Sequence, residues 1–387
     1  MLYSRRDAGK MGLAAGLASV FGSKLMGAAK PNSKIKGVQI GTITYSYRSM
    51  PDQSAEATLK YIVDSGISAI ELMGGPVNDW ARKKGHWEPG PAASAAAGGG
   101  GRGGRGAGGR GPAPAYPSVA GMKTGFGNDQ PAGQWNGKAC PEGRGEGARG
   151  GGAAPAGGGG GRGRGQQTPE QKAAADAERK WRMGLSMDIF KELRKLYNDA
   201  GVSIYAVKDV RQETDEDLDY TFTVARTLGA SHVTLELPNG PNAHAMFQRL
   251  GDWALKYKMF AAYHTHQQGS MTALDDAFAA SKGNMANVDL GHFMAANNPG
   301  GTPLDFLNKF HDRIASYHLK DRTTVAHCAL NLPWGTGETP IPQILQTVEK
   351  NKWTMPGSIE LEYEIPEGSD AVQEVAKCLA FCRKALS

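Results

Sequence analysis

Eight times along this chain a short apolar run is followed by a stretch with helical spacing. The apolar runs cover residues 37–45, 67–73, 202–207, 232–237, 259–266, 286–292, 314–321 and 358–364. The helical stretches cover 55–65, 168–198, 215–228, 243–257, 272–280, 304–312, 339–351 and 370–386. Strands that alternate with helices imply a parallel sheet with right-handed crossovers. Eight such units suit a closed (β/α)8 TIM barrel, which needs about 250 residues. An open doubly wound sheet is the alternative. Against it, the first strand lacks the G-x-G-x-x-G turn of a dinucleotide fold.

Two segments fall outside the pattern. Residues 1–29 hold an Arg5-Arg6 pair, a weakly apolar run from Met11 to Phe21, and small residues at Gly27-Ala28-Ala29. This is the layout of a signal peptide, and the run is too short for an ordinary transmembrane helix. It resembles a twin-arginine export signal, with Ala8 where a bulky residue is usual. A periplasmic location and no stable membrane anchor are therefore expected. Residues 94–166 are mostly Gly, Ala, Pro and Arg and cannot bury a surface, so a disordered insertion after strand two is predicted. A mixed island from Met122 to Cys140, with Phe126 and Trp135, is the part suited to touch the fold. The barrel is expected to span 36–387 around this insertion.

These two segments decide how the charge is read. The chain carries a formal +6, but residues 1–29 contribute +3 and residues 94–166 contribute +6. The remainder is mildly acidic, at −3, which does not indicate a nucleic-acid surface. The four cysteines show no metal-ligand pattern. Cys378 and Cys382 lie one helical turn apart, where Cβ atoms sit roughly 5–6 Å from each other, wider than the ~3.8 Å of a disulfide. They read as packing residues, and no disulfide framework is expected.

The chemistry stands at the strand ends: Glu71, Lys208, Glu236, His264 with His266, Asp289 with His292, His318 with Lys320, and Glu360 with Glu362. In a barrel these converge on one mouth. Mixed carboxylates and imidazoles suit a borderline divalent cation, and the acids would repel one another without a cation among them. Glu360, Glu362 and Glu364 share one side of their strand; the choice falls on Glu362, nearest the mouth but still in the strand.

The pieces Asp289-Leu290-Gly291-His292, Tyr317-His318-Leu319-Lys320-Asp321, Trp334-Gly335-Thr336-Gly337 and Glu362-Tyr363 resemble the sugar phosphate isomerase/epimerase family, with its xylose-isomerase-like TIM barrel. The resemblance implies a divalent metal (Mn, Zn, Co, Fe or Mg) held by Asp289, His318 and Glu362. The family's acid on strand five is replaced by His264, and Glu236 on the preceding strand is a candidate to compensate. The expected metal set is thus Glu236, His264, Asp289, His318 and Glu362. Glu362, His264 and Lys320 are the expected catalytic groups. Glu71, Lys208, His266 and His292 are expected to meet substrate.

These expectations point to a metal-dependent isomerase or epimerase, or a related lyase, acting on a small carbohydrate through an enediolate. Nothing in the sequence fixes the oligomeric state. A phosphodiester hydrolase like the AP endonucleases would want a basic DNA groove, which the acidic barrel does not offer. A non-catalytic envelope sugar-binding protein would not need the metal-ligating tips.

Overall fold

The computed structural model describes residues 30–87, 132–140 and 168–387. The eight expected strands lie at Val38–Ile43, Ala69–Met73, Ser203–Lys208, His232–Glu236, Phe260–His264, Asn284–Asp289, Ile314–Leu319 and Gly357–Ile359. Each pairs in parallel with the next, and strand eight pairs back with strand one. The sheet is closed, and the protein is a (β/α)8 barrel. A short strand, Lys34–Ile35, adds antiparallel to strand one.

Alternation along the strands sorts side chains into two populations. In strand six, Ala286 and Val288 join the apolar layer between strands and helices. Asn287 and Asp289 take the opposite face and meet polar groups of neighbouring strands. In strand seven, Tyr317 and Leu319 pack outward, while Ser316 and His318 join the polar interior. Helices complete the apolar layer at i, i+3 and i+4 spacing: Leu59 and Ile62, Leu218 with Phe222 and Ala225, Ile344 with Leu345 and Val348. Phe222 is fully buried. Truncating such a ring to Ala costs about 3–5 kcal/mol.

Local chemistry explains where elements begin and break. Thr168 opens the helix Pro169–Met183 through a capping box with Gln171, as its Thr-Pro start predicts. The predicted 168–198 helix is two helices, Pro169–Met183 and Asp188–Asp199. Gly184 ends the first, and Ser186 Oγ accepts the Asp188 amide before the second. Strand two does not lead straight into the insertion. Gly74–Lys84 is a helix that follows it directly. Pro76 sits in its first turn, where no amide is needed, and Val77, Trp80 and Ala81 are buried.

Residues 1–29, where the export signal is expected, lie outside the described residues. So does most of the 94–166 insertion. Its described island, 132–140, forms a hairpin from Gln134–Trp135 and Lys138–Ala139. Trp135 is buried against Leu330 and Leu332, in the hairpin that follows strand seven. Cys140 and Cys328 are joined by a disulfide across 188 residues. This corrects the expectation of no disulfide: no spacing signals a pair so far apart. Cys378 and Cys382 are free and buried, as expected. Among the described residues no helix is long and apolar enough to cross a membrane.

Candidate functional site

Strand register sets the site. Asp289 stands opposite His318, His264 opposite both Glu236 and Asn287, and Lys208 opposite Met73. His264, Asp289, His318 and Glu360 each present a ligand atom within 4.8 Å of the others, and all four are buried. Glu360, not Glu362, is the strand-eight member. The strand ends at Ile359, and the Glu360 amide still bonds to Leu319 O, which holds its side chain over His318.

Asp289 caps the short helix Leu290–Met294: its Oδ1 accepts the His292 amide at 2.7 Å. Its Oδ2 is buried and makes no hydrogen bond. Lys320 Nζ is 2.9 Å away, an ion-pair contact without hydrogen-bond geometry. The same ammonium lies 3.0 Å from Glu360 Oε2 and 2.7 Å from Glu362 Oε2. Burial works against its charge, but Asp289, Glu360 and Glu362 outweigh that and raise its pKa.

His264 places Nδ1 3.0 Å from Asn287 Oδ1. Asn287 Nδ2 donates to Glu71 Oε2 and Ser316 Oγ, so its oxygen must face the imidazole. His264 therefore donates from Nδ1 and keeps Nε2 bare. Burial, then the charges of Lys208 and His318, hold its pKa well below the usual value, so the ring is neutral.

His318 lies between two carboxylates, with Nε2 2.7 Å from Glu71 Oε2 and Nδ1 2.7 Å from Glu360 Oε2. Burial opposes its protonation, but Glu71 and Glu360 outweigh it and push the pKa up to about 10. Glu71 also accepts from Thr234 Oγ1 at 2.6 Å. Burial would raise the Glu71 pKa; the charge and hydrogen bond of His318 outweigh that and bring it to about 2.

Fully buried behind His318, Glu71 is not placed to touch substrate, contrary to expectation. Its position near a strand end hid its depth. Lys208 pairs with Glu236 at 2.9 Å. Glu236 stands at the rim with 40% of its side chain exposed, facing His266 at 3.6 Å, and is outside the buried four. Its rim position and its lysine remove it from the expected metal set. Glu362 also stands outside the four; it is partly exposed and lies between Lys320 and His292 Nε2. His264 is itself one of the buried four and is not placed as an acid or base at the surface. His266 is half exposed and, with His264 and His292, makes a second cluster of nitrogens.

The family-like piece at 317–321 contains one residue with a structural task. Asp321 Oδ2 accepts the amides of Gly335 and Gly337, and Oδ1 accepts that of Thr339. This clamp fixes the Trp334–Gly337 loop. At Gly337 a Cβ would collide with Asp321 Oδ1. Asn287, Thr234 and Arg322 were missed in the sequence. Asn287 had a signal: two residues before Asp289, it shares the same strand face.

Two imidazoles and two carboxylates, one with an unbonded buried oxygen, fit a borderline divalent cation. His264 Nε2, Asp289 Oδ2, His318 Nδ1 and Glu360 would hold it.

No known family profile matches this chain, and no curated sequence does. Solved structures similar to this chain include xylose-isomerase-like proteins and sugar isomerases or epimerases. A sugar phosphate isomerase/epimerase from Parabacteroides distasonis is 14% identical, over 92% of this chain and 96% of that one, with a TM-score of 0.47. A xylose isomerase domain protein from Alicyclobacillus acidocaldarius is 12% identical, over 90% and 99%, with a TM-score of 0.47. The 3-keto-D-glucoside 4-epimerase from E. coli is 12% identical, over 55% and 93%, with a TM-score of 0.40. With identities this low and TM-scores under 0.5, these likenesses carry no argument here, and the chemistry is read from the site itself.

Proposed function

We propose that this protein is a divalent-metal-dependent isomerase or epimerase of a sugar or keto-sugar. The buried group of His264, Asp289, His318 and Glu360 carries the reading. A bound divalent cation supplies Lewis-acid polarisation of a carbonyl and its neighbouring hydroxyl.

The chain's own residues supply the rest. Glu362 is the carboxylate that reaches solvent above the buried four, and it serves as the base. It takes the proton from the carbon beside the carbonyl, and the C–H electron pair moves into an enediolate. Return of a proton to the former carbonyl carbon, with the hydroxyl proton passing to the former carbonyl oxygen, completes an isomerisation; return to the opposite face of the original carbon completes an epimerisation. Lys320, already 2.7 Å from Glu362, donates to the oxygen on which charge develops. His266 and His292 line the mouth above it and bind substrate hydroxyls.

An exported location belongs to the same proposal. The Arg5-Arg6 pair and the run after it motivate it, and the Cys140–Cys328 disulfide supports an oxidising compartment. Export argues against a phosphorylated substrate, since sugar phosphates are largely cytoplasmic.

The test is proton exchange. Purified protein reconstituted with Mn, Zn, Co, Fe or Mg is incubated with sugars and keto-sugars in deuterated water. Deuterium entering a carbon beside the carbonyl, dependent on both metal and Glu362, supports the proposal. No exchange with any metal across the panel would count against it.

A further inference from the structure

Four imidazoles, His264, His266, His292 and His318, crowd together at the strand ends, and the partner of one ring nitrogen decides what the other can do. His264 gives its Nδ1 hydrogen to Asn287, and His318 points Nε2 at Glu71. Each thereby turns its other nitrogen toward the buried carboxylates. His292 is set the opposite way. Its Nδ1 lies 2.5 Å from Arg322 Nη1. A guanidinium can only donate, so Nδ1 accepts and the ring hydrogen sits on Nε2. A second hydrogen, on Nδ1, would point straight at the guanidinium.

This bears on the second cluster. His264, His266 and His292 bring nitrogens within 4.8 Å of one another, which invites a three-histidine metal site. His292 would have to offer a bare Nε2, since Nδ1 is engaged by Arg322. Nε2 instead carries hydrogen and faces Glu362 Oε2 at 3.6 Å.

Arg322 is firmly built in. It is 3% exposed, its Nη2 donates to Ala329 O at 2.7 Å, and its amide donates to Thr339 Oγ1. The strand Asp321–Arg322 pairs with Asn331–Leu332. Cys328, between those strands, is disulfide-bonded to Cys140, and Trp135 packs on Leu330 and Leu332. The described island of the insertion, 132–140, thus braces the hairpin that carries the arginine.

We infer that Arg322 is a positioning residue: it holds His292 as the neutral Nε2–H tautomer, a hydrogen-bond donor to a substrate oxygen and not a metal ligand. The donor role rests on the function proposed above. The tautomer does not, because it follows from Arg322 and His292 alone.

The test is two-bond proton–nitrogen correlation on metal-free protein labelled with 15N-histidine, with the His292 signals assigned through His292→Gln. The expected pattern is a protonated Nε2 and a bare Nδ1. Arg322→Met should release the ring into a tautomer mixture or a protonated form. Arg322→Lys, which keeps a donor-only cation, should restore part of the wild-type pattern. A wild-type His292 with hydrogen on Nδ1 would overturn the inference, as would an unchanged pattern in folded Arg322→Met. Should Arg322→Met not fold, the wild-type spectrum decides alone. The expected tautomer with no sugar proton exchange would sink the proposed function and leave Arg322's role standing.

Discussion

His318 Nε2 meets Glu71 Oε2 at 2.7 Å in the closed interior of the barrel, and neither residue is exposed. The carboxylate fixes which nitrogen of His318 faces Asp289 and Glu360. Partners of this kind orient a metal-binding imidazole and raise its basicity, and losing one costs ~10–100-fold in metal affinity. Glu71→Gln should therefore weaken metal binding by about that factor. Chelator competition would measure it. Affinity unchanged in a folded Glu71→Gln would show that His318 needs no such partner.

The same pair gives the metal-free protein a pH signature. His318 is raised from 6.5 to about 10, so its contribution to stability is full below 6.5 and is lost as pH rises through about 10. Glu71 is lowered from 4.5 to about 2, so its contribution is full above 4.5 and is lost as pH falls through about 2. These two groups predict greatest stability between 4.5 and 6.5 and a decline from 6.5 toward 10. Urea melts across that range should show the decline in wild type and a shallower one in His318→Gln. At pH 8 metal binding should release about one proton, because the ligand nitrogen must be bare. A weakly buffered indicator dye would read this, and zero release would mean that His318 is not a ligand.

The disulfide predicts a stability effect separate from the site. It closes a loop of 188 residues in sequence separation. A native disulfide contributes about 2–4 kcal/mol, more for longer loops. Cys328→Ser should lower the unfolding free energy by about that amount in an oxidised sample, seen as a lower urea midpoint, and make the midpoint insensitive to reductant. Equal midpoints for wild type with and without reductant would show that the bridge contributes nothing.

Particular residues show what the sequence made legible. The barrel followed from alternation alone, because each strand pairs with the next, even across the long segment between strands two and three. Asp289 and His318 were legible because each ends a strand beside another polar group, and the register places them opposite one another. Depth was not legible. Glu71 and Lys208 both stand near strand ends, yet Glu71 is sealed under His318 while Lys208 reaches the rim and Glu236. Period-two parity put Glu360 and Glu362 on one side and could not say where strand eight stops. The helix Gly74–Lys84 was hidden by its Gly-Gly-Pro start, although Val77, Trp80 and Ala81 have helical spacing. The Cys140–Cys328 bridge was out of reach because only three dimensions bring those residues together.

The two glutamates after strand eight supply the sharpest separation of roles. Glu360 shares one oxygen between His318 Nδ1 at 2.7 Å and Lys320 Nζ at 3.0 Å and is 5% exposed. Glu362 lies further out, against Lys320 and His292, with 20% of its side chain exposed. A group inside the ligand set and a base above it fail differently. Glu360→Gln removes an anionic ligand, so metal content should fall toward zero in the purified protein, measured by elemental analysis. Glu362→Gln should keep the wild-type metal content and lose turnover by ~10²–10⁴-fold, the usual contribution of a general base. Metal lost from Glu362→Gln but retained by Glu360→Gln would reverse the assignment and return Glu362 to the ligand set that the sequence implied.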